Sequence, residues 1–156
     1  MPATIKYLFL YLFLLFSEHV QATWLLIPMD ESQKNHLKAY GIAFWALERD
    51  VEVKWLLNYR GGSFMIPWFQ ELQAECVIRG VTSETLGDSH GDGILREIAS
   101  ADVNQDAVSM QKAPRIAVYS PPNKQPWDDA VTLVLTYAEI PYDVVYDEEV
   151  VSGKLS

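Results

Sequence analysis

The 156-residue chain has little cysteine and little positive charge, and both shortages exclude classes of protein. Its single cysteine, Cys76, excludes a domain held together by internal disulfides. Twelve Lys and Arg residues stand against 21 Asp and Glu residues, so the net charge is −9 and no basic cluster is present. Because nucleic-acid binders present a basic face to the phosphates, nucleic acid is not an expected partner.

Two nucleotide-binding motifs are also missing. Neither the dinucleotide pattern G-x-G-x-x-G nor the phosphate loop G-x-x-x-x-G-K occurs in the chain. Residues 87–93 place oxygen and imidazole groups at alternate positions before a glycine, as a calcium loop does, but the twelfth position is Ala99 instead of a carboxylate. We interpret that segment as a solvated loop, and we predict no metal site, no cofactor and no catalytic residue within this chain.

The longest uninterrupted apolar run is short and lies near the N-terminus. Residues 7–16 are all apolar or aromatic, Lys6 precedes them, and Val20 and Ala22 place small residues at a cleavage site. These ten residues cover about half of the roughly 20 that span a bilayer, which argues against a membrane anchor. We therefore predict a signal peptide over residues 1–22, cleavage before Thr23, and a periplasmic or extracellular location.

The hydrophobic pattern of the remaining chain predicts alternating strands and helices. Strands are predicted at 24–29, 51–57, 115–120 and 142–146, and a short one within 76–86. Helices are predicted at 33–49, 67–75, 94–101 and 127–139, with a polar linker near 102–113. Strand, turn, helix and strand follow in that order twice, which indicates two β-α-β units.

Those two units predict the fold class. We expect an α/β domain with a mainly parallel sheet and helices on both faces, of the flavodoxin-like or class I glutaminase-like type. Because the chain stops just after a strand, residues 23–156 are expected to be either one domain or the N-terminal portion of a longer one, incomplete at the C-terminus.

Cys76 is the only thiol available as a nucleophile. Its neighbours Glu75 and Val77 give no glycine-flanked elbow, and no base is evident beside it. We predict that Cys76 is a small buried hydrophobic residue that any activity could dispense with.

Polar residues follow three of the predicted strands. In open parallel sheets the ligand binds past the carboxyl ends of the strands, which lie at one edge. The residues at those positions form the predicted ligand site: Asp30, Ser32, Asn58, Arg60, Ser120 and Asn123. The alternative interpretation is that the same residues are helix caps, turn formers and an exposed charge.

Two long stretches of the chain carry a resemblance to a known family. Residues 25–68 begin LLIPMDESQKNHLKAYGIAFW, and residues 114–147 begin PRIAVYSPPNKQPWDD. Both resemble an exported bacterial family whose members carry the label asparagine synthetase B. Glutamine-dependent asparagine synthetases use an N-terminal cysteine and a Ser-Gly-Gly loop that binds ATP. This chain instead has Pro2, a predicted mature start at Thr23 and no such loop.

The expected function follows from the resemblance and the missing motifs together. We expect an exported α/β domain of that family that binds a small molecule, a glycan or an envelope protein. The resemblance also leaves an enzyme of the amidotransferase or hydrolase type, with its catalytic residues beyond residue 156. A purely structural module of the cell envelope is the third alternative.

Overall fold

The computed structural model describes residues 23–100, 104–121 and 130–153. The predicted signal peptide and Asn123 lie outside these ranges. In chain order the elements are β1 (Trp24–Ile27), α1 (His36–Leu47), β2 (Val53–Leu57), β3 (Ser63–Pro67), α2 (Gln70–Ile78), β4 (Glu84–Leu86), α3 (Asp88–Ile98), β5 (Asp106–Met110), β6 (Ala117–Tyr119), α4 (Ala130–Ala138), β7 (Asp143–Val145) and α5 (Asp147–Val151).

The first five strands form one antiparallel sheet in the order β4-β1-β3-β2-β5. Strand β3 lies between β1 and β2, antiparallel to both, and pairs Leu26 with Met65 and Trp55 with Phe64. The predicted mainly parallel sheet, flavodoxin-like or glutaminase-like, is therefore wrong. The error comes from Pro67, which suits the first turn of a helix but here ends a strand.

The sheet contains two interleaved crossover units. The first runs β1-α1-β2 and the second β3-α2-β4, and within each unit the two strands are parallel but separated by a strand of the other. This β-α-β-β-α-β order is the split β-α-β arrangement of ferredoxin-like folds. Strand β5 then pairs with β2 and extends the sheet, although its residues fall within the predicted linker 102–113. The result is a mixed α/β fold.

Side chains alternate between the two faces of the sheet along each strand, and a hydrophobic core lies on each face. On one face, Leu25 and Phe64 pack in a core with Ile42 of α1 and Leu72 of α2. On the other face the core contains Leu26, Leu56, Met65, Ile94 and Ile98, the last two of which belong to α3. Helix α3 begins at Asp88, so the loop predicted over residues 87–93 is helical from its second residue.

Strands β6 and β7 form a separate parallel pair, with α4 between them in the chain. This part keeps the strand-helix-strand order that the sequence predicts. Helix α4 packs on α1, where Lys38 pairs with Glu139 and the Asn35 side chain donates to the Tyr137 hydroxyl at 2.8 Å. Several apolar side chains of α4 are exposed, Leu133 most of all. None of the described helices is long and apolar enough to cross a bilayer.

Candidate functional site

Three of the six predicted site residues lie together beyond the end of β1. The guanidinium of Arg60 donates from Nε to Asp30 Oδ2 at 2.7 Å and from Nη2 to Ser32 Oγ at 3.3 Å. Its Nη1 donates to both carboxylate oxygens of Glu84, at 2.9 and 3.0 Å. Glu84 is the first residue of the short strand β4. It was not among the predicted residues, because only the strand order shows that β4 starts where β1 ends.

The turn between β2 and β3 brings Arg60 to this position. The Met29 N–H donates to the Arg60 carbonyl at 3.1 Å, so the turn lies directly against the end of β1. Gly61 has a φ of 81°, and a Cβ there would collide with the Met29 carbonyl. Gly61 therefore allows the turn to approach the backbone at the end of β1 closely.

The charges in this cluster are already matched to one another. One guanidinium faces two carboxylates, so Arg60 retains little capacity to bind a further anion. The hydroxyl of Ser32 and then the Arg60 guanidinium lower the pKa of Asp30 to about 2, and Asp30 in turn raises the pKa of Arg60. We interpret the cluster as an ion network that joins β1, the β2–β3 turn and β4.

The lowered pKa of Asp30 gives a testable pH dependence. Because the folded pKa is near 2 and the ordinary value is 3.8, the unfolded chain binds the proton first as the pH falls. Stability from Asp30 is therefore complete above about pH 4 and is lost between about pH 4 and pH 2. We expect Asp30→Asn to flatten the fall of the urea midpoint over that window, and Ser32→Ala to flatten it in part. An unchanged pH profile in both variants would contradict this network.

The other predicted site residues lie on different segments. The Asn58 side chain donates to the Asn104 carbonyl at 2.9 Å, which ties the β2–β3 turn to the segment before β5. Ser120 follows β6 and is buried, and its N–H donates to the Val145 carbonyl at 2.9 Å. It belongs to the second sheet because β6 pairs only with β7 among the described strands. Asn123 lies outside the described residues.

One motif escaped the sequence reasoning. Residues 87–91 spell Gly-Asp-Ser-His-Gly and match the G-x-S-x-G pattern of hydrolase elbows, and they follow a strand and open a helix as an elbow does. Ser89, however, has ordinary helical backbone without a positive φ, and both Ser89 and His90 are exposed. Within the described ranges neither side chain has a hydrogen-bond partner, so Ser89 is not activated by a base.

Cys76 is buried in the core between the sheet and its helices, as predicted. Burial raises the pKa of its thiol to about 11, so the thiolate needed for nucleophilic attack is scarce at neutral pH. No group of three or more His, Cys, Asp or Glu side chains that could hold a metal ion occurs in the part of the chain that the structure describes.

A pocket that sequence reasoning missed lies beside α1. It has a volume of about 230 Å³ and an almost entirely apolar lining. Its walls come from α1, the sheet and the segment before β7, and include Tyr40, Phe44, Trp55, Phe64, Met110 and Ile140. No motif marks it, because the pocket depends on β3 and β5, the two strands that the sequence did not reveal. We call it the aromatic pocket.

A second pocket of about 370 Å³ adjoins the aromatic pocket and shares Phe44 and Pro114 with it. Its lining is about half polar and includes Glu48, Arg115 and Asp143. The Arg115 Nη2 lies 3.3 Å from Asp143 Oδ2, and both side chains are largely exposed. We call this second space the polar pocket. Side by side, the two pockets can take a molecule with an apolar part and a polar part.

Comparison with protein-family models, curated proteins and solved structures finds no match to this chain.

Proposed function

We propose that this chain is a binding domain for a small molecule, with the apolar part of the ligand in the aromatic pocket and its polar part in the polar pocket. The observation that carries the proposal is the apolar lining of a pocket of about 230 Å³ next to a half-polar one. Small-molecule sites combine a mostly apolar lining with a few polar groups in this way.

The size and rigidity of the aromatic pocket support the proposal. Engineered apolar cavities of about 150 Å³ bind benzene, so this pocket has room for a substituted ring. Phe64 is buried, and its ring lies 5.5 Å from Tyr40 in edge contact and 6.4 Å from Trp55 in a stacked arrangement. The Trp55 indole N–H also donates to the Gly62 carbonyl at 3.1 Å, which fixes that wall.

The lining also favours a small molecule over a glycan. Sugar hydroxyls need hydrogen-bond partners when they leave water, and unpaired ones cost free energy. The aromatic pocket offers almost no polar surface, so a sugar ring inside it would lose those partners.

Benzyl alcohol is a suitable first probe because it joins one ring to one polar group. We expect it to shift amide resonances of residues around the aromatic pocket in ¹H–¹⁵N NMR spectra, in a saturable way. Met110→Trp should abolish these shifts, because Met110 is a half-buried wall residue whose enlargement fills the pocket. Leu133→Trp is the matched control, since Leu133 is 65% exposed on α4 and lines neither pocket.

The binding proposal is wrong if benzyl alcohol shifts no pocket resonances at millimolar concentration. It is equally wrong if the folded Met110→Trp variant binds as well as the unaltered chain. The dispersion of the same NMR spectra shows whether each variant is folded.

We also propose that the chain is exported and belongs to the family labelled asparagine synthetase B. The apolar run 7–16 and the small residues Val20 and Ala22 support export, and the stretches 25–68 and 114–147 support the family. Mass spectrometry of the protein made in its own host is expected to find Thr23 as the first residue. An intact residue 1–22 segment on the cytoplasmic protein would overturn the export proposal.

A further inference from the structure

The charges around the polar pocket do not cancel. Glu48 and Asp143 contribute two carboxylates, and Arg115 contributes one guanidinium that already pairs with Asp143. Among the described residues, the carboxylate of Glu48 accepts no hydrogen bond and forms no ion pair, and Glu48 is exposed. An unpaired carboxylate therefore remains in the polar pocket, which adjoins the aromatic pocket.

Helix α1 ends beside this carboxylate, and a cation already lies at the helix end. The helix runs from His36 to Leu47, and Glu48 is its C-cap residue. The Arg49 guanidinium donates from Nη1 to the Trp45 carbonyl at 3.0 Å, where the backbone dipoles place partial negative charge. The carboxylate of Glu48, and not the helix end, is therefore the group available to a cationic ligand.

The charge of the whole chain also favours a cationic ligand. The net charge of −9 on the whole chain attracts cationic molecules over a longer range.

From these observations we infer that the ligand is a small apolar amine, with its hydrocarbon part in the aromatic pocket and its ammonium group beside Glu48 in the polar pocket. The inference rests on the proposed binding function and names its ligand class. It follows from the position of an apolar pocket next to a second pocket that contains an unpaired carboxylate.

Two probes of nearly the same shape and opposite charge test this inference. Phenethylamine and phenylacetate both carry a phenyl ring on a short chain, and at neutral pH one is a cation and the other an anion. In NMR titrations at low salt, we expect phenethylamine to bind at least about fivefold more tightly than phenylacetate, with benzyl alcohol between them. Raising the ionic strength should reduce that preference.

A single substitution tests whether Glu48 causes the preference for phenethylamine over phenylacetate. Glu48→Gln keeps the shape of the side chain, and we expect the preference for phenethylamine to fall to about twofold, with benzyl alcohol binding unchanged. Glu31→Gln is the matched control: it removes the same charge from an exposed residue that precedes α1, at the helix end opposite Glu48. This control should keep the full preference.

The outcomes of these titrations distinguish failure of the amine inference from failure of the binding proposal. If benzyl alcohol binds in the aromatic pocket but phenylacetate binds as tightly as phenethylamine, the amine inference is overturned and the binding proposal stands. The inference is also overturned if Glu48→Gln and Glu31→Gln reduce the preference equally, because the preference then reflects net charge alone. If none of the three probes binds, both proposals fail.

Discussion

Replacing Gly41 with valine is expected to cost about 3 kcal/mol or more of the free energy of unfolding. Gly41 is buried in α1 where α4 crosses it, and a Cβ there would overlap the Ala138 carbonyl oxygen, far inside van der Waals contact distance. Backbone cannot yield as a flexible side chain can, so α1 and α4 would have to separate. Separation would also break the Lys38–Glu139 ion pair and the Asn35–Tyr137 hydrogen bond.

Urea unfolding of Gly41→Val and of Gly93→Ala provides a matched comparison. Gly93 lies inside α3 with open space around the position of a Cβ, so Gly93→Ala should be neutral or stabilise by up to about 1 kcal/mol. Equal stability of Gly41→Val and the unaltered chain would show that α4 does not pack on α1 as described.

Phe64→Ala is expected to cost about 3 to 4 kcal/mol of the free energy of unfolding. Phe64 is 2% exposed, lies on the central strand β3, and contacts Tyr40 and Trp55 through its ring. Its removal leaves a cavity that opens into the aromatic pocket, so the lost packing adds to the lost burial. Phe64→Leu keeps most of the volume and should cost only about 1 kcal/mol.

Chemical unfolding of both Phe64 variants, monitored by circular dichroism, tests this expectation. A cost below about 1 kcal/mol for Phe64→Ala would mean that residue 64 is not in the core, and therefore that β3 is not the central strand. Because β3 separates β1 from β2, that result would also contradict the antiparallel sheet.

The sequence predicted the elements whose hydrophobic pattern is strong. Strands β1 and β2 and helix α1 fall within the predicted segments, and so do β6, α4 and β7. Strand β3 escaped prediction because it follows a two-glycine turn closely and ends at Pro67, which is also a common helix start. Strand β5 escaped because its sequence Asp-Ala-Val-Ser-Met does not alternate regularly between polar and apolar residues. Without β3, β1 and β2 become neighbours, so the antiparallel sheet was predicted to be parallel.

The residues of the candidate site also fall into those that the sequence could predict and those that it could not. Asp30 and Arg60 were expected at one edge because they follow two strands that run in the same direction, and the structure does bring them together. Glu84 could not be predicted, since it starts a strand whose position depends on the sheet order. Ser120 was expected beside them only because β6 was assigned to the same sheet. The aromatic pocket needs β3 and β5, so no local pattern could reveal it.

Intermolecular nuclear Overhauser effects from bound phenethylamine test the binding proposal most directly. We expect contacts from its ring protons to the ε-methyl of Met110 and to the rings of Trp55 and Phe64, which all line the aromatic pocket. Its methylene protons next to nitrogen should contact Glu48 instead. Contacts confined to the exposed apolar residues of α4, such as Leu133 and Val134, would contradict the assignment of this pocket as the binding site.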